Sequence, residues 1–299
     1  MSAAVVIINP ISGAGRAYPG GAAEVDLART TLSGAGYATT VVVTLGPGHA
    51  TDVARDAVAR GVDLVVSWGG DGTMNEVARA LAFGSTALAL VPAGSGNGLG
   101  RDLGVPLDPG QALAIAAGGR RRRIDVGDVN GEYFFNVAGV GLDARIARAF
   151  AERTGRRGRL RYAQVGVQAV LRYRAAPVDV AWDDGASSPT ALIVAFANSR
   201  QYGSHGVIAP AASLDDGRLN LVIIEDQPIW RIASRLPSFF LGQLGPGHGV
   251  TMATFTAASV TAASGTDLHL DGEPRTVRGP LAIRVHPRAL DVIVPQARQ

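Results

Sequence analysis

The stretch Leu64-Val65-Val66-Ser67-Trp68-Gly69-Gly70-Asp71-Gly72-Thr73-Met74-Asn75-Glu76 carries an apolar strand into a glycine loop and then into a helix. Glycines at 69 and 70 let the backbone turn tightly where the strand stops. The helical pattern begins at Thr73, and Thr73-x-x-Glu76 has the spacing of a capping box. The same succession repeats on either side. Residues 3–8, 38–44 and 87–91 read as strands, and 22–33, 50–60 and 73–82 as helices. Strands that are apolar throughout, separated by helices of about 10–12 residues, predict a parallel sheet covered on both faces. This is a doubly wound α/β arrangement, in which ligands sit where the carboxyl ends of strands turn into helices.

Beyond residue 124 the texture changes. Segments 133–138, 178–182, 190–197, 219–224, 251–263, 267–270 and 281–285 read as strands, with helices only at 143–151, 160–174 and 229–241. Such a cluster predicts an antiparallel sheet or β-sandwich, so a domain boundary is expected near Asp125. A chain of 299 residues has room for two domains. It shows no internal repeat and no long low-complexity linker.

Composition removes several chemistries. There is no cysteine, which excludes disulfides, thiolate zinc sites and cysteine nucleophiles. There is no lysine either, as every one of the 28 basic residues is arginine. That excludes a P-loop NTPase, whose motif requires Gly-Lys-Ser/Thr, and Schiff-base chemistry. A net charge of +3 gives no reason to expect nucleic acid as a partner. No apolar run reaches the roughly 18–20 residues of a membrane-spanning helix, and 3–8 is not read as a signal peptide. A cytoplasmic location is expected. The five histidines show no metal-ligand spacing and read as structural.

Three glycine loops follow three of the strands. The first is Asn9-Pro10-Ile11-Ser12-Gly13, the second Gly69 to Glu76, the third Pro92-Ala93-Gly94-Ser95-Gly96-Asn97-Gly98. All three are expected on one edge of the sheet. Consecutive backbone N–H groups there can form an anion-binding concavity, and the helix after the second loop adds its positive dipole end. A polyphosphate can be held in this way without lysine. Position 18 is Tyr18 rather than glycine, so Gly13-Ala14-Gly15 does not complete a nicotinamide fingerprint.

These three loops, in this order and spacing, resemble the catalytic domain of the diacylglycerol kinase/sphingosine kinase family of lipid kinases. The resemblance continues through Ile124-Asp125, Phe135-Asn136, Gly141-Leu142-Asp143-Ala144, Asn198, Pro210 to Leu219, and Asp271-Gly272-Glu273. It therefore covers nearly the whole chain. It implies an N-terminal α/β nucleotide domain (1–125, with a C-terminal tail of about 288–299 returning to it). It also implies a C-terminal β-sandwich domain (126–287) for the lipid, with the active site in the cleft between them.

The resemblance assigns nucleotide contacts to Asn9, Ser12, Gly13, Thr44, Gly69, Gly70, Asp71, Gly72, Thr73, Asn75, Glu76, Gly94, Ser95 and Asn97. It implies ATP and Mg²⁺, with Asp71 and Asp125 near the metal. Asp271 is implied as general base, and Glu273 as its neighbour in that role or at the metal. A separate structural Mg²⁺ is implied at Asp216 with carbonyls of Ser213 and Arg218. Alternatives stay open at three points. Asp125 can balance Arg120–Arg123, Asp271-Gly272 can be an ordinary β-turn, and 213–218 can be a turn between strands.

The third loop departs from the pattern of many bacterial diacylglycerol kinases, where an acid follows Asn97; here Gly98 does. That version is closer to the sphingosine/ceramide branch. Arg145, however, stands where sphingosine kinases carry an acid, and would repel an amine. The expected activity is ATP- and Mg²⁺-dependent phosphorylation of a lipid hydroxyl, diacylglycerol first. A sphingosine- or ceramide-type kinase, a kinase of the NAD kinase type, and a catalytically silent binding module are the alternatives. Residues 145–174 hold nine arginines and one acid, Glu152, and with Leu160, Val165, Val167, Val170 and Leu171 are expected to touch a membrane surface or form a solvated helix face. A homodimer is compatible with the sequence.

Overall fold

The computed structural model describes residues 2–12, 21–151, 173–202, 206–263 and 265–296. The chain divides into two units, Met1–Ile124 with Arg288–Gln299, and Asp125–Pro287. The first unit is built on four strands, β1 (Ala3–Ile8), β2 (Ala38–Val43), β3 (Leu64–Gly69) and β4 (Ala87–Pro92), in the order β2-β1-β3-β4 and all parallel. β3 and β4 are buried at every position, as their unbroken apolar runs require. The chain leaves β1 toward β2 on one side, then passes back over it to β3 and β4 on the other. Right-handed connections therefore place α1 (Ala22–Gly34) on one face and α2 (His49–Ala59) and α3 (Asp71–Leu81) on the opposite one. Accordingly α2 packs on α3, and α1 on α5 (Pro109–Gly118). Between them, α4 (Gly98–Asp102) is a single short turn. Val77 and Leu81 bring α3 down onto the sheet with no exposed surface, each contributing about 1.5–3 kcal/mol.

Two elements here differ from the sequence reading. Helix α5, absent from the helices read in the sequence, starts at Pro109-Gly110; Asp108 caps it by accepting the Gln111 N–H at 2.8 Å, and proline suits the first helical position. The arginine run begins a strand, β5 (Arg120–Val129). Its charges are answered by Asp291, which is 3% exposed and accepts from Arg121 at 3.3 Å and Arg123 at 3.1 Å.

The second unit is an antiparallel β-sandwich. One sheet runs β15 (Val250–Phe255), β14 (Leu219–Glu225), β11 (Thr190–Ala197), β7 (Val137–Gly141), β17 (Asp267–Leu270), β18 (Glu273–Thr276), with β8 (Ala176–Pro177) beside β11. The other joins β10 (Gly185–Ser187), β9 (Asp179–Trp182), β16 (Ala257–Thr261) and the start of β19 (Leu281–Val294), onto which β5 and β6 (Glu132–Phe134) add. The core between the sheets includes Phe134, Val180, Phe196, Leu221, Phe255 and Val260. Phe196 and Phe255 meet edge to face, with centroids 6.0 Å apart. Two strands are longer or more divided than the sequence predicts. The 251–263 run breaks at Thr256, whose N–H and hydroxyl both bond Asp183. The last strand continues through Pro287 to Val294, where Val292 lies beside Leu88 of the first unit's own sheet. Among the described residues, a small hairpin, β12 (Gln201–Tyr202) with β13 (Gly206–Val207), and the helices α6 (Leu142–Ala151) and α7 (Ile229–Phe240) are the other elements of this unit; most of the helix expected over 160–174 lies outside the described residues.

Candidate active site

In the first unit, the crevice of a β2-β1-β3-β4 sheet lies between the carboxyl ends of β1 and β3, where the strand order reverses. Asn9 leaves β1 there and donates through Nδ2 to Thr73 Oγ1 at 2.8 Å, tying the first loop to α3. Asn9 also accepts the Ile11 N–H, and its carbonyl takes the Ser12 hydroxyl at 2.7 Å. Asp71 opens α3 behind Gly70 as N-cap. Its carboxylate accepts the N–H of Asn97 at 2.9 Å and of Gly98 at 2.8 Å, one on each oxygen. Asn97 sits in the left-handed region (φ 54°) and bonds both the N–H and the carbonyl of Gly94. The second and third loops are thereby one clamped body. Close approach demands the glycines. A Cβ on Gly94 would stand 2.6 Å from Gly70 Cα, and one on Gly96 would stand 2.5 Å from Asp71 Oδ2. Gly72 differs, because a Cβ there meets nothing within 4 Å.

The capping box is not formed. Helix α3 begins two residues earlier, at Asp71, and Thr73 turns to Asn9. Glu76 instead reaches the start of α2, accepting the N–H of Gly48 at 3.0 Å and of Thr51 at 3.4 Å. A carboxylate at a helix N-terminus is favoured by the dipole, and α2's own N-cap is a glycine without a side chain to do this. The first turn of α3 consequently keeps its N–H groups uncapped by its N-cap residue, beside an exposed Gly72. Thr44 is nearly buried at the end of β2, its N–H on Ile8. Ser95 is exposed on the third loop. Asn75 is fully buried, and its side-chain amide finds no partner among the described residues. Gly13 lies outside the described residues.

In the second unit the later signatures form one hydrogen-bonded body. Asp271-Gly272 joins β17 to β18 as a two-residue turn with φ of 51° and 85°, the positive angles that favour Asp-Gly in tight hairpins. The Asp271 carboxylate accepts the N–H of Phe135 (2.8 Å), Asn136 (2.7 Å) and Val137 (3.0 Å). Asn198 donates to the carbonyls of Phe135 and Asp125, both at 2.9 Å. Asp125, fully buried, accepts the Gly217 N–H at 2.7 Å. The 213–218 loop is held from within as well, Asp216 accepting the Arg218 N–H and Asp215 the Ser213 hydroxyl. Glu273 accepts from Arg275 at 3.2 Å.

A cluster that the sequence reading left without a role adjoins the turn. Asp143 Oδ2 accepts the Tyr202 hydroxyl at 2.6 Å and lies 3.1 Å from His269 Nε2. His269 Nδ1 accepts the Gly272 N–H at 3.1 Å, which fixes the proton on Nε2, facing Asp143. Burial, then the Asp143 charge, pushes the Tyr202 hydroxyl well above its ordinary pKa, so it stays a donor. Gly139 makes room, since a Cβ there would stand 2.0 Å from Asp143 Oδ2. The pairing His269 opposite Gly139 is a register property and has no signature in the linear sequence. A cavity of about 630 Å³ opens nearby in this unit, with Val129, Leu268, Leu270 and Leu281 as apolar lining and Arg148 and Arg275 among its polar residues.

The chain's likeness to known proteins agrees with both halves. Residues 3–129 match the diacylglycerol kinase catalytic domain, and residues 136–294 match the YegS C-terminal NAD kinase beta sandwich-like domain. A Pseudomonas aeruginosa protein described as "Probable lipid kinase YegS-like" is 34% identical over 91% of this chain and 90% of its own length. The chain belongs to the diacylglycerol kinase/YegS-like family of lipid kinases. Accordingly it is a phosphotransferase with an alcohol group as acceptor. The diacylglycerol kinase of Bacillus subtilis is 29% identical over 80% of each chain. The crystal structure of a diacylglycerol kinase from Bacillus anthracis str. Sterne superposes with a TM-score of 0.78 at 20% identity, covering 99% of this chain and 98% of that one, a likeness of fold.

A kinase of this family implies ATP as donor, and Mg²⁺ as its usual companion. Among the described residues no three acidic or imidazole side chains gather as a ready-made metal cage. Mg²⁺ does not need one, because it takes one or two carboxylates and completes its shell with water and substrate phosphate. Asp71 fits that donor chemistry. It is half-buried, and each of its oxygens accepts one N–H from the third loop and retains acceptor capacity.

Proposed function

We propose that the protein transfers the γ-phosphoryl group of ATP to the hydroxyl of diacylglycerol. The observation that carries this reading is the clamp of three strand-end loops at the switch point of the first unit. Asn9 bonds Thr73, Asp71 bonds Asn97 and Gly98, and the uncapped first turn of α3 stands among them. Phosphoryl transfer needs positioning and charge neutralisation more than covalent help. The N–H groups of α3's first turn and of the glycine loops orient the phosphates. Asp71 holds Mg²⁺, which neutralises phosphate charge when bound.

Asp271 is the general base of this reading. Its carboxylate is oriented by three backbone N–H groups and takes the hydroxyl proton as the new O–P bond forms and the bond to the ADP oxygen breaks. The 630 Å³ cavity has room for an acyl chain. Arg145, 57% exposed and 3.5 Å from Asp267, favours a neutral acceptor over an amine. The test is incubation of the purified protein with γ-labelled ATP and mixed micelles of diacylglycerol, sphingosine, ceramide and monoacylglycerol, with and without Mg²⁺, and with NAD as a soluble control. Label in phosphatidic acid, dependent on Mg²⁺, is expected. Label in a sphingoid lipid or in NAD alone would replace the acceptor, and label in none would reject the reading.

A further inference from the structure

Helix α7 carries its larger apolar surface outward. Of the nine large hydrophobic side chains exposed among the described residues, four fall between positions 230 and 241: Trp230 (63%), Leu236 (50%), Phe240 (56%) and Leu241 (69%). At about 100° per residue they span an arc of roughly 140° on the helix and its cap, with Ala233 and Pro237 between them. The opposite face is the one that holds the helix to its unit. Phe239 packs there against Tyr202, centroids 6.1 Å apart, and joins a core cluster with Ile208 and Val250.

Charge separates the candidates for what covers this face. Gln227 to Thr266 contains no Asp or Glu, and Arg231 and Arg235 lie on the side of the helix away from the apolar arc. Arg231 lies over the Trp230 ring at 5.0 Å, and Arg235 anchors to the carbonyls of Gly245 and Gly247. An apolar arc with tryptophan at its edge, an arginine over that ring and no acid is the pattern of a helix lying in an anionic lipid interface. Among the described residues no helix is long and apolar enough to cross a membrane, so contact by this helix is interfacial.

We propose that α7 with Leu241 is the surface by which this protein lies on an anionic bilayer. Trp230, Leu236, Phe240 and Leu241 enter the acyl boundary, and Arg231 meets lipid phosphate. The inference rests on the lipid-kinase reading, because a substrate held in a bilayer has to be reached from its surface. It concerns a different surface from the 145–174 stretch expected from the sequence. In that segment Arg145 and Arg148 pair with Asp267, and residues 152–172 lie outside the described residues.

The test compares the full-length wild type with Leu236→Ser/Phe240→Ser and with Arg231→Glu. Binding is measured by co-sedimentation with vesicles of phosphatidylcholine containing 30% phosphatidylglycerol, and with phosphatidylcholine alone. Tryptophan emission reports insertion, because Trp68 is buried, Trp182 is half-buried against the sandwich core and Trp230 is exposed. The wild type should bind the anionic vesicles at least about tenfold more tightly than the neutral ones, with a blue shift and quenching by brominated acyl chains. Both variants should lose about tenfold or more of that binding. Their phosphorylation of diacylglycerol in vesicles should fall in parallel, while turnover on a detergent-dispersed short-chain diacylglycerol stays within about twofold. These side chains are exposed, so circular dichroism and melting should be unchanged. Unchanged vesicle binding in both variants overturns the proposal. So does a wild-type dimer that becomes monomeric in the serine variant while vesicle binding persists, which would make the face a contact between copies. Vesicle binding is read without turnover, so a wild type that binds yet phosphorylates no dispersed lipid would reject the kinase reading and leave the docking surface standing.

Discussion

Asp271→Asn separates two roles that the structure gives one side chain. Asparagine tolerates the left-handed conformation at 271, so the hairpin turn survives. Its amide oxygen can replace Oδ1 and still accept from Asn136 and Val137. Its NH₂ group cannot accept the Phe135 N–H, which Oδ2 now takes at 2.8 Å. One charge-assisted bond is lost and one N–H is left facing a donor, which together cost about 2–4 kcal/mol. In a unit of this size that lowers the melting temperature by about 5–15 °C. As a base, Asp271 should be worth much more to rate than this loss suggests. Turnover with diacylglycerol micelles should drop by about 10²–10⁴-fold, measured well below the variant's melting point, with the KM for ATP within about twofold. A variant that melts early yet turns over within threefold of wild type would refute the base and leave only an anchor. A variant that melts like wild type would refute the geometry.

Three further outcomes follow from individual contacts. Gly72→Ala adds a methyl that meets nothing and suits a helix, so melting should hold or rise slightly, while the KM for ATP rises about tenfold if phosphate packs on the first turn of α3; an unchanged KM would remove that turn from nucleotide binding. Tyr202→Phe deletes a buried donor to Asp143 and should cost about 1.5–3 kcal/mol in denaturant melts, against near-zero for the half-exposed Tyr37→Phe. Burial alone would raise the Asp128 pKa, but hydrogen bonds from His286, the Gly131 N–H and Arg284 together hold it below the ordinary carboxylate value. A depressed pKa contributes stability that is present above about pH 4 and is lost as pH falls through the lowered value, so Asp128→Asn should flatten that acid limb of the stability profile and change little below it.

What the sequence made legible was whatever is local. Apolar runs alternating with helices gave the parallel sheet, and the strand cluster after residue 124 gave the sandwich. The misreadings are contacts between distant positions. Thr73 and Glu76 have capping-box spacing, but each found a stronger partner outside its own helix, Asn9 and the start of α2. In sequence the arginines of β5 have Asp125 beside them, whereas Asp291, which pairs with Arg121 and Arg123, is 168 to 170 residues away. His269 read as one of five scattered histidines. Its partners, Asp143 and Gly272, come together only when β17 pairs with β7. The glycines of the second and third loops were read as room for a ligand. Several are instead room for each other, as Gly70 against Gly94 and Gly96 against Asp71 show.

The two proposed acids share a design that bears on how any variant must be interpreted. Asp71 takes N–H groups from a loop 26 and 27 residues onward, and Asp271 takes three from a segment 134 to 136 residues earlier. Each carboxylate is therefore a cross-link of its own unit before it is a reagent. Its oxygens cannot rotate freely, which preorganises whatever they hold or accept. Alanine at either position would remove chemistry and cross-link together, and loss of activity would not tell them apart. Asparagine keeps most of the cross-link at 271, because two of the three amides converge on one oxygen. At 71 it keeps only half, because the two amides are divided between both oxygens. The same substitution should thus leave the second unit closer to its native stability than the first, relative to alanine at each site. Equal fractions of stability retained at the two positions would show that the amide contacts are not what fixes these side chains.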